Sequence, residues 1–216
     1  MNIDLKKRII TSIILMLILI VMFINNYILL YCLIIMSIFT WLEAAALITK
    51  ICYTKIMRIF FLLLSLSYIS LFSFISFALI SSMGTKLLMM FTLLICVCSD
   101  IGGLTFGKIF KGKKLTKLSP NKTISGSVGS FIFSLFFMLI FILLNLIELN
   151  FTITLYVLAT SMFCQIGDIF ISYMKRKANV KDTGNILPGH GGLLDRVDGI
   201  LFAVPLSIFV FYLLSI

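Results

Sequence analysis

Apolar stretches of about twenty residues follow one another along this chain, and the cations collect in every second gap between them. A helix that crosses a bilayer needs about 20 consecutive apolar residues. Seven segments qualify, at about 9–24, 27–49, 57–82, 87–107, 124–147, 151–174 and 198–216. They predict an all-α polytopic membrane protein with about seven transmembrane helices, or eight if the long third segment is broken. Cationic loops favour the cytoplasmic side. Lys6, Lys7 and Arg8 precede the first segment, and Lys50, Lys55 and Arg58 lie between the second and third. Lys108, Lys111, Lys113, Lys114, Lys117 and Lys122 lie between the fourth and fifth, and Lys175, Arg176, Lys177, Lys181 and Arg196 between the sixth and seventh. The other gaps hold Asn25, Asn26, Glu148 and one cation, Lys86. The alternation predicts a cytoplasmic N-terminus and puts the two longest loops, about 108–123 and 175–197, in the cytoplasm.

The net charge of +10 is therefore mostly topological, and nucleic acid is not an expected partner. With 61% of 216 residues apolar, the chain exceeds the 45–50% or so typical of soluble domains. A cleaved signal peptide does not explain apolar runs that recur to the end. One integral membrane domain over 1–216 is expected, with 1–97 mainly scaffold and lipid access and 98–216 carrying the catalytic helices and loops. Cys32, Cys52, Cys96, Cys98 and Cys164 lie in or beside apolar runs and read as packing residues.

Ionisable residues inside spans are costly and are functional candidates by default. Asp100 and Asp168 each lie roughly 9–12 Å inside the cytoplasmic end of a span, at 1.5 Å per residue. At that depth they could share a polar cavity. Glu43, beside Trp41 and seven residues before Lys50, reads instead as an interfacial group that snorkels or pairs near the membrane surface.

The densest polar constellation runs from Gln165 to Gly199 and reads QIGDIFISYMKRKANVKDTGNILPGHGGLLDRVDG. Asp195 and Asp198 are three apart, so on a helix they share a face. With Asp168 they could offer oxygen ligands to Mg²⁺, which binds through one or two carboxylates plus substrate phosphates. Lys175 and Arg176 suit phosphate oxygens. Pro188, Gly189, Gly191 and Gly192 surround His190, the single histidine, and allow close backbone approach to a ligand. Ahead of the fifth span, Ser119, Lys122, Thr123 and Ser125 offer hydroxyl and ammonium donors at a helix start, where anions bind readily.

At these residues the chain resembles the phosphatidate cytidylyltransferase family, in its bacterial form. Ser172, Lys175, Arg176, Lys181, Asp182, Gly184, Leu187, Pro188, Gly189, His190, Gly191, Gly192, Asp195, Arg196 and Asp198 match that family's C-terminal signature over 27 residues. Gln165-x-Gly167-Asp168, Asp100 with Gly107, Ser119-Pro120-x-Lys122-Thr123 and Trp41-x-Glu43 are also similar to it. The chain departs at Ser125, where the family usually has Glu, and at Gly103, where Ala is common; seven spans is also fewer than members often show.

The resemblance implies a magnesium-dependent enzyme of phospholipid biosynthesis that converts CTP and phosphatidate to CDP-diacylglycerol and pyrophosphate at the cytoplasmic face of the bacterial inner membrane. Mg²⁺ would act alone or with a second metal or a monovalent cation, among membrane lipids, in a monomer or a homodimer. Asp168 and Asp195 are the expected metal ligands, with Asp198 and Asp100 ranked after them. Lys175, Arg176 and Arg196 would neutralise phosphate, and His190 would orient a phosphate or the loop. Ser119, Lys122, Thr123, Ser172, Lys181 and Asp182 would bind substrate. The rival readings are a cytidylyltransferase acting on another lipid phosphate, a CDP-alcohol phosphatidyltransferase, whose Asp-Gly-x-x-Ala-Arg pattern is missing, and a cation-coupled transporter using Asp100 and Asp168.

Overall fold

Backbone amides in hydrocarbon must find partners within their own segment, so apolar runs of this length become helices. The computed structural model describes residue 14 and residues 16–116, 122–186 and 191–214. They form α1 (16–24), α2 (Asn26–Ile51), α3 (Lys55–Ser81), α4 (Met83–Phe110), α5 (Ile124–Leu143), α6 (Phe151–Lys177) and α7 (Leu194–Leu214). Among the described residues the six helices α2 to α7 are long and apolar enough to cross a membrane. The first expected span lies partly outside the described residues, as do Lys6, Lys7 and Arg8.

α3 runs unbroken, so the break expected to give an eighth span is not found in it. Within it the hydroxyls of Ser65, Ser67 and Ser70 return to carbonyls three residues back, each at 2.9 Å, and so find partners inside an apolar segment. The asparagine turn predicted between the first two spans separates α1 from α2, with Asn25 Oδ1 accepting the N–H of Tyr27 at 2.9 Å. α5 stops at Leu143, short of the predicted 147, and Asn145 then takes a left-handed φ of +55°. α7 begins at Leu194, four residues before its expected start at 198.

The chain divides into two compact units that do not follow its order. One comprises the described residues of Met1–Lys86 with Met174–Val197, the other Leu87–Tyr173 with Asp198–Ile216. In the first, α2 and α3 form a hairpin pinned by Ser37 Oγ and Ser73 Oγ at 2.5 Å and by Trp41 Nε1 donating to the Leu62 carbonyl at 3.4 Å. Leu30, Ile34, Leu66 and Phe77 help line a groove of about 470 Å³ between these helices.

In the second unit, α4 and α5 approach closely through small residues, as membrane helices do when lipid provides no hydrophobic drive. A Cβ on Gly129 would strike the Phe106 side chain and come within 2.7 Å of the Gly102 carbonyl. Nearby, Ser130 Oγ donates to the Ser99 carbonyl at 2.7 Å, and Ser99 and Ser161 hydroxyls meet at 2.9 Å. Cys96, Cys164 and Ala203 form a buried core with Phe163 and Ile200 packed against it. All five cysteines are free.

Candidate functional site

Each unit holds one polar cluster where the sequence concentrates its charge. The cluster of the second unit centres on Asp168, near the C-terminal end of α6. Its carboxylate pairs with the Lys122 ammonium, and both side chains remain partly exposed. Lys122 is set by its loop: Leu115 N–H donates to the Lys122 carbonyl at 2.8 Å, Ile124 N–H to the Lys113 carbonyl at 3.0 Å, and Lys114 bridges antiparallel to Thr123. Thr123 then caps α5, its hydroxyl accepting the Gly126 N–H at 3.1 Å. Ser125 bonds the Lys111 carbonyl and lies 3.0 Å from Thr123 Oγ1.

Asp100, on an uninterrupted α4, lies within electrostatic reach of both Asp168 and Lys122 and takes the Cys164 thiol at 3.8 Å. One carboxylate thus pairs with the ammonium, and the other lies within the electrostatic reach of that pair. Gln165, a turn before Asp168, accepts from Ser127 Oγ at 2.5 Å and ties α6 to α5. Ser172 is half-buried on α6, and Asp198 Oδ1 accepts its neighbour's N–H, that of Gly199, at 2.9 Å.

The cluster of the first unit centres on Asp195, in the first turn of α7. Its Oδ1 accepts from Lys175 Nζ at 2.7 Å. Its Oδ2 accepts from Thr183 N–H at 2.9 Å, Thr183 Oγ1 at 3.0 Å and Gly192 N–H at 3.1 Å. The last of these reaches back to the start of the helix in the manner of a capping box. An ammonium and two backbone amides therefore converge on this carboxylate, and the Thr183 hydroxyl, with one proton to give, is shared between it and Glu43 Oε2 at 2.8 Å. Arg176, Lys181, Asp182 and Arg196 are exposed, on the last turn of α6, the loop and the first turn of α7. His190, Ser119, Leu187, Pro188 and Gly189 lie outside the described residues.

Glu43 belongs to this cluster, and of the two expected behaviours its burial excludes snorkelling while its partners come from the loop and the start of α7 rather than from Lys50. It is only 5% exposed, and its carboxylate accepts from Thr183 Oγ1 at 2.8 Å, Leu193 N–H at 3.0 Å and Leu194 N–H at 2.8 Å. The signal in the sequence was the distance to Lys50. Seven residues are two turns, roughly 10 Å, beyond the reach of i,i+4 neighbours, so the carboxylate needed partners from elsewhere.

Among the described residues, no three His, Cys, Asp or Glu side chains converge as a metal site. The donor chemistry still suits Mg²⁺ at Asp100 and Asp168. Both offer hard oxygens, one ammonium leaves a negative charge unbalanced, and Mg²⁺ keeps waters and phosphates as its remaining ligands. Asp195 differs, since Lys175 and two backbone amides already engage its oxygens.

The model of the cytidylyltransferase family matches residues 4–214. The phosphatidate cytidylyltransferase of Staphylococcus haemolyticus is 39% identical over 150 residues, covering 68% of this chain and 56% of the relative. That of Staphylococcus saprophyticus is 41% identical over 121 residues, 54% of this chain and 46% of the relative. That of Bacillus subtilis is 39% identical over 132 residues, 58% of this chain and 48% of the relative. The chain thus spans about half the length of the curated relatives it matches.

Proposed function

Since this chain belongs to the cytidylyltransferase family, whose model covers residues 4–214, we propose that it is a phosphatidate cytidylyltransferase of the bacterial cell membrane. The observation that carries the reading is a pair of carboxylates on helices apolar enough to cross a membrane, Asp168 ion-paired with Lys122 and Asp100 within electrostatic reach of both. Such a costly arrangement serves a polar ligand better than it serves packing.

The reaction joins a phosphate oxygen of phosphatidate to the α-phosphorus of CTP. The bond from that phosphorus to the bridging oxygen breaks, and pyrophosphate leaves with the electron pair. The nucleophile is already ionised at neutral pH, so His190 orients a phosphate or its loop and no general base is needed. What remains is positioning and charge neutralisation. In this reading Lys122, the Thr123 hydroxyl and Ser119 bind phosphate. Lys175, Arg176 and Arg196 neutralise phosphate charge. Ser172, Lys181 and Asp182 complete the substrate contacts.

Asp168 and Asp100 would hold Mg²⁺, which when bound supplies Lewis-acid stabilisation of phosphate charge. Asp195 is read as the residue that aims Lys175 and fixes the loop, with Asp198 behind it on α7. The cationic loops support a cytoplasmic site, where nucleotides are, and a cytoplasmic N-terminus ahead of a first span.

The test is direct. Purified chain in lipid nanodiscs, given labelled CTP, Mg²⁺ and phosphatidate, is expected to form CDP-diacylglycerol and pyrophosphate, to stop when EDTA is added and to resume with excess Mg²⁺. Transfer only to another lipid phosphate would change the acceptor. Folded protein that makes no product would overturn the reading.

A further inference from the structure

Glu43 stands about 12 Å from the C-terminal end of α2, at eight residues and 1.5 Å per residue, and is buried. A carboxylate there needs donors. It finds them 140, 150 and 151 residues away, in the Thr183 hydroxyl and the Leu193 and Leu194 amides. The last two belong to the start of α7, where amides lack intrahelical partners and the helix dipole favours negative charge.

The loop is shaped to this carboxylate. A Cβ on Gly184 would lie 2.5 Å from Glu43 Oε1, and one on Gly192 would run into Thr183 Oγ1 and Glu43 Oε2. Backbone therefore packs on the carboxylate from two sides. Thr183 passes the constraint on, since its N–H and hydroxyl also reach Asp195 Oδ2, and Asp195 Oδ1 holds Lys175 Nζ.

We propose that Glu43 is a positioning residue of the nucleotidyl-transfer site: its carboxylate clamps the Thr183 loop and the start of α7, and so aims Asp195 and Lys175. The inference rests on the function assigned above. It gives α2 a part in the chemistry through the residues that Glu43 holds.

The experiment pairs kinetics with amide hydrogen exchange on the full chain in nanodiscs. Glu43→Gln keeps the shape but turns an amide NH₂ toward backbone donors. It is expected to lower kcat about 10–100-fold, the range seen when an outer-shell partner is removed, with KM for phosphatidate little changed. Exchange should quicken at 183–186 and 191–194 and stay at its wild-type level in α3. Thr183→Val should show the same pattern, and Thr183→Ser should recover most of what Thr183→Val loses. If Glu43→Gln does not fold, the Thr183 pair decides alone. Wild-type kcat and loop exchange in Glu43→Gln would overturn the proposal, and so would exchange that quickens equally in α3, which marks a general staple. A wild-type chain without cytidylyltransferase activity would overturn the assigned function and the role given to Glu43, and the exchange pattern would still report whether the clamp exists.

Discussion

Asp168 meets the Lys122 ammonium, and Asp100 lies within electrostatic reach of both. Asp168→Asn keeps the side-chain volume and removes the charge. Turnover is expected to fall at least about 10²–10³-fold, the cost of losing a preorganised electrostatic group, while size-exclusion and circular dichroism profiles stay those of the wild type. Lys122→Met should also lower the rate, because it removes the cation paired with Asp168 and leaves the charge of Asp168 and Asp100 uncompensated by it. These residues were legible in the sequence, since charge amid hydrocarbon side chains is conspicuous. Glu43 was equally conspicuous, but its burial and its partners were not legible. Hydropathy shows where a charge lies but not what it meets, and its partners are 140 or more residues away.

Helix starts and ends follow the same logic one scale up. α7 begins at Leu194 because Asp195 reaches back to the Gly192 amide and Glu43 takes those of Leu193 and Leu194. Asp195, Arg196 and Asp198 depress the hydropathy of that first turn and hid the start. The small-residue contact between α4 and α5 was hidden for another reason: an apolar segment shows its composition, not the face it packs. Gly129→Ala places a methyl against Phe106 and the Gly102 carbonyl. We expect a loss of about 1–3 kcal/mol, the usual cost of overpacking, read as a lower thermal unfolding midpoint in detergent.

For the molecule as a whole, the alternation of cation-rich and cation-poor gaps makes a topological prediction. In a cysteine-free background, Lys114→Cys and Lys181→Cys should react with an impermeant maleimide only from the cytoplasmic side, and Glu148→Cys only from the outside. The reverse pattern would invert the chain. The Glu43 clamp also bears on how such a chain is made. α2 is synthesised well before its partners Thr183, Leu193 and Leu194. At 5–20 residues per second, roughly 7–30 s separate the carboxylate from the amides that satisfy it. Until then the helix carries an unmatched carboxylate into the bilayer, so the clamp closes among the last events of assembly, and a ribosome that stalls before residue 183 leaves a membrane intermediate with an open polar wound for quality control to find.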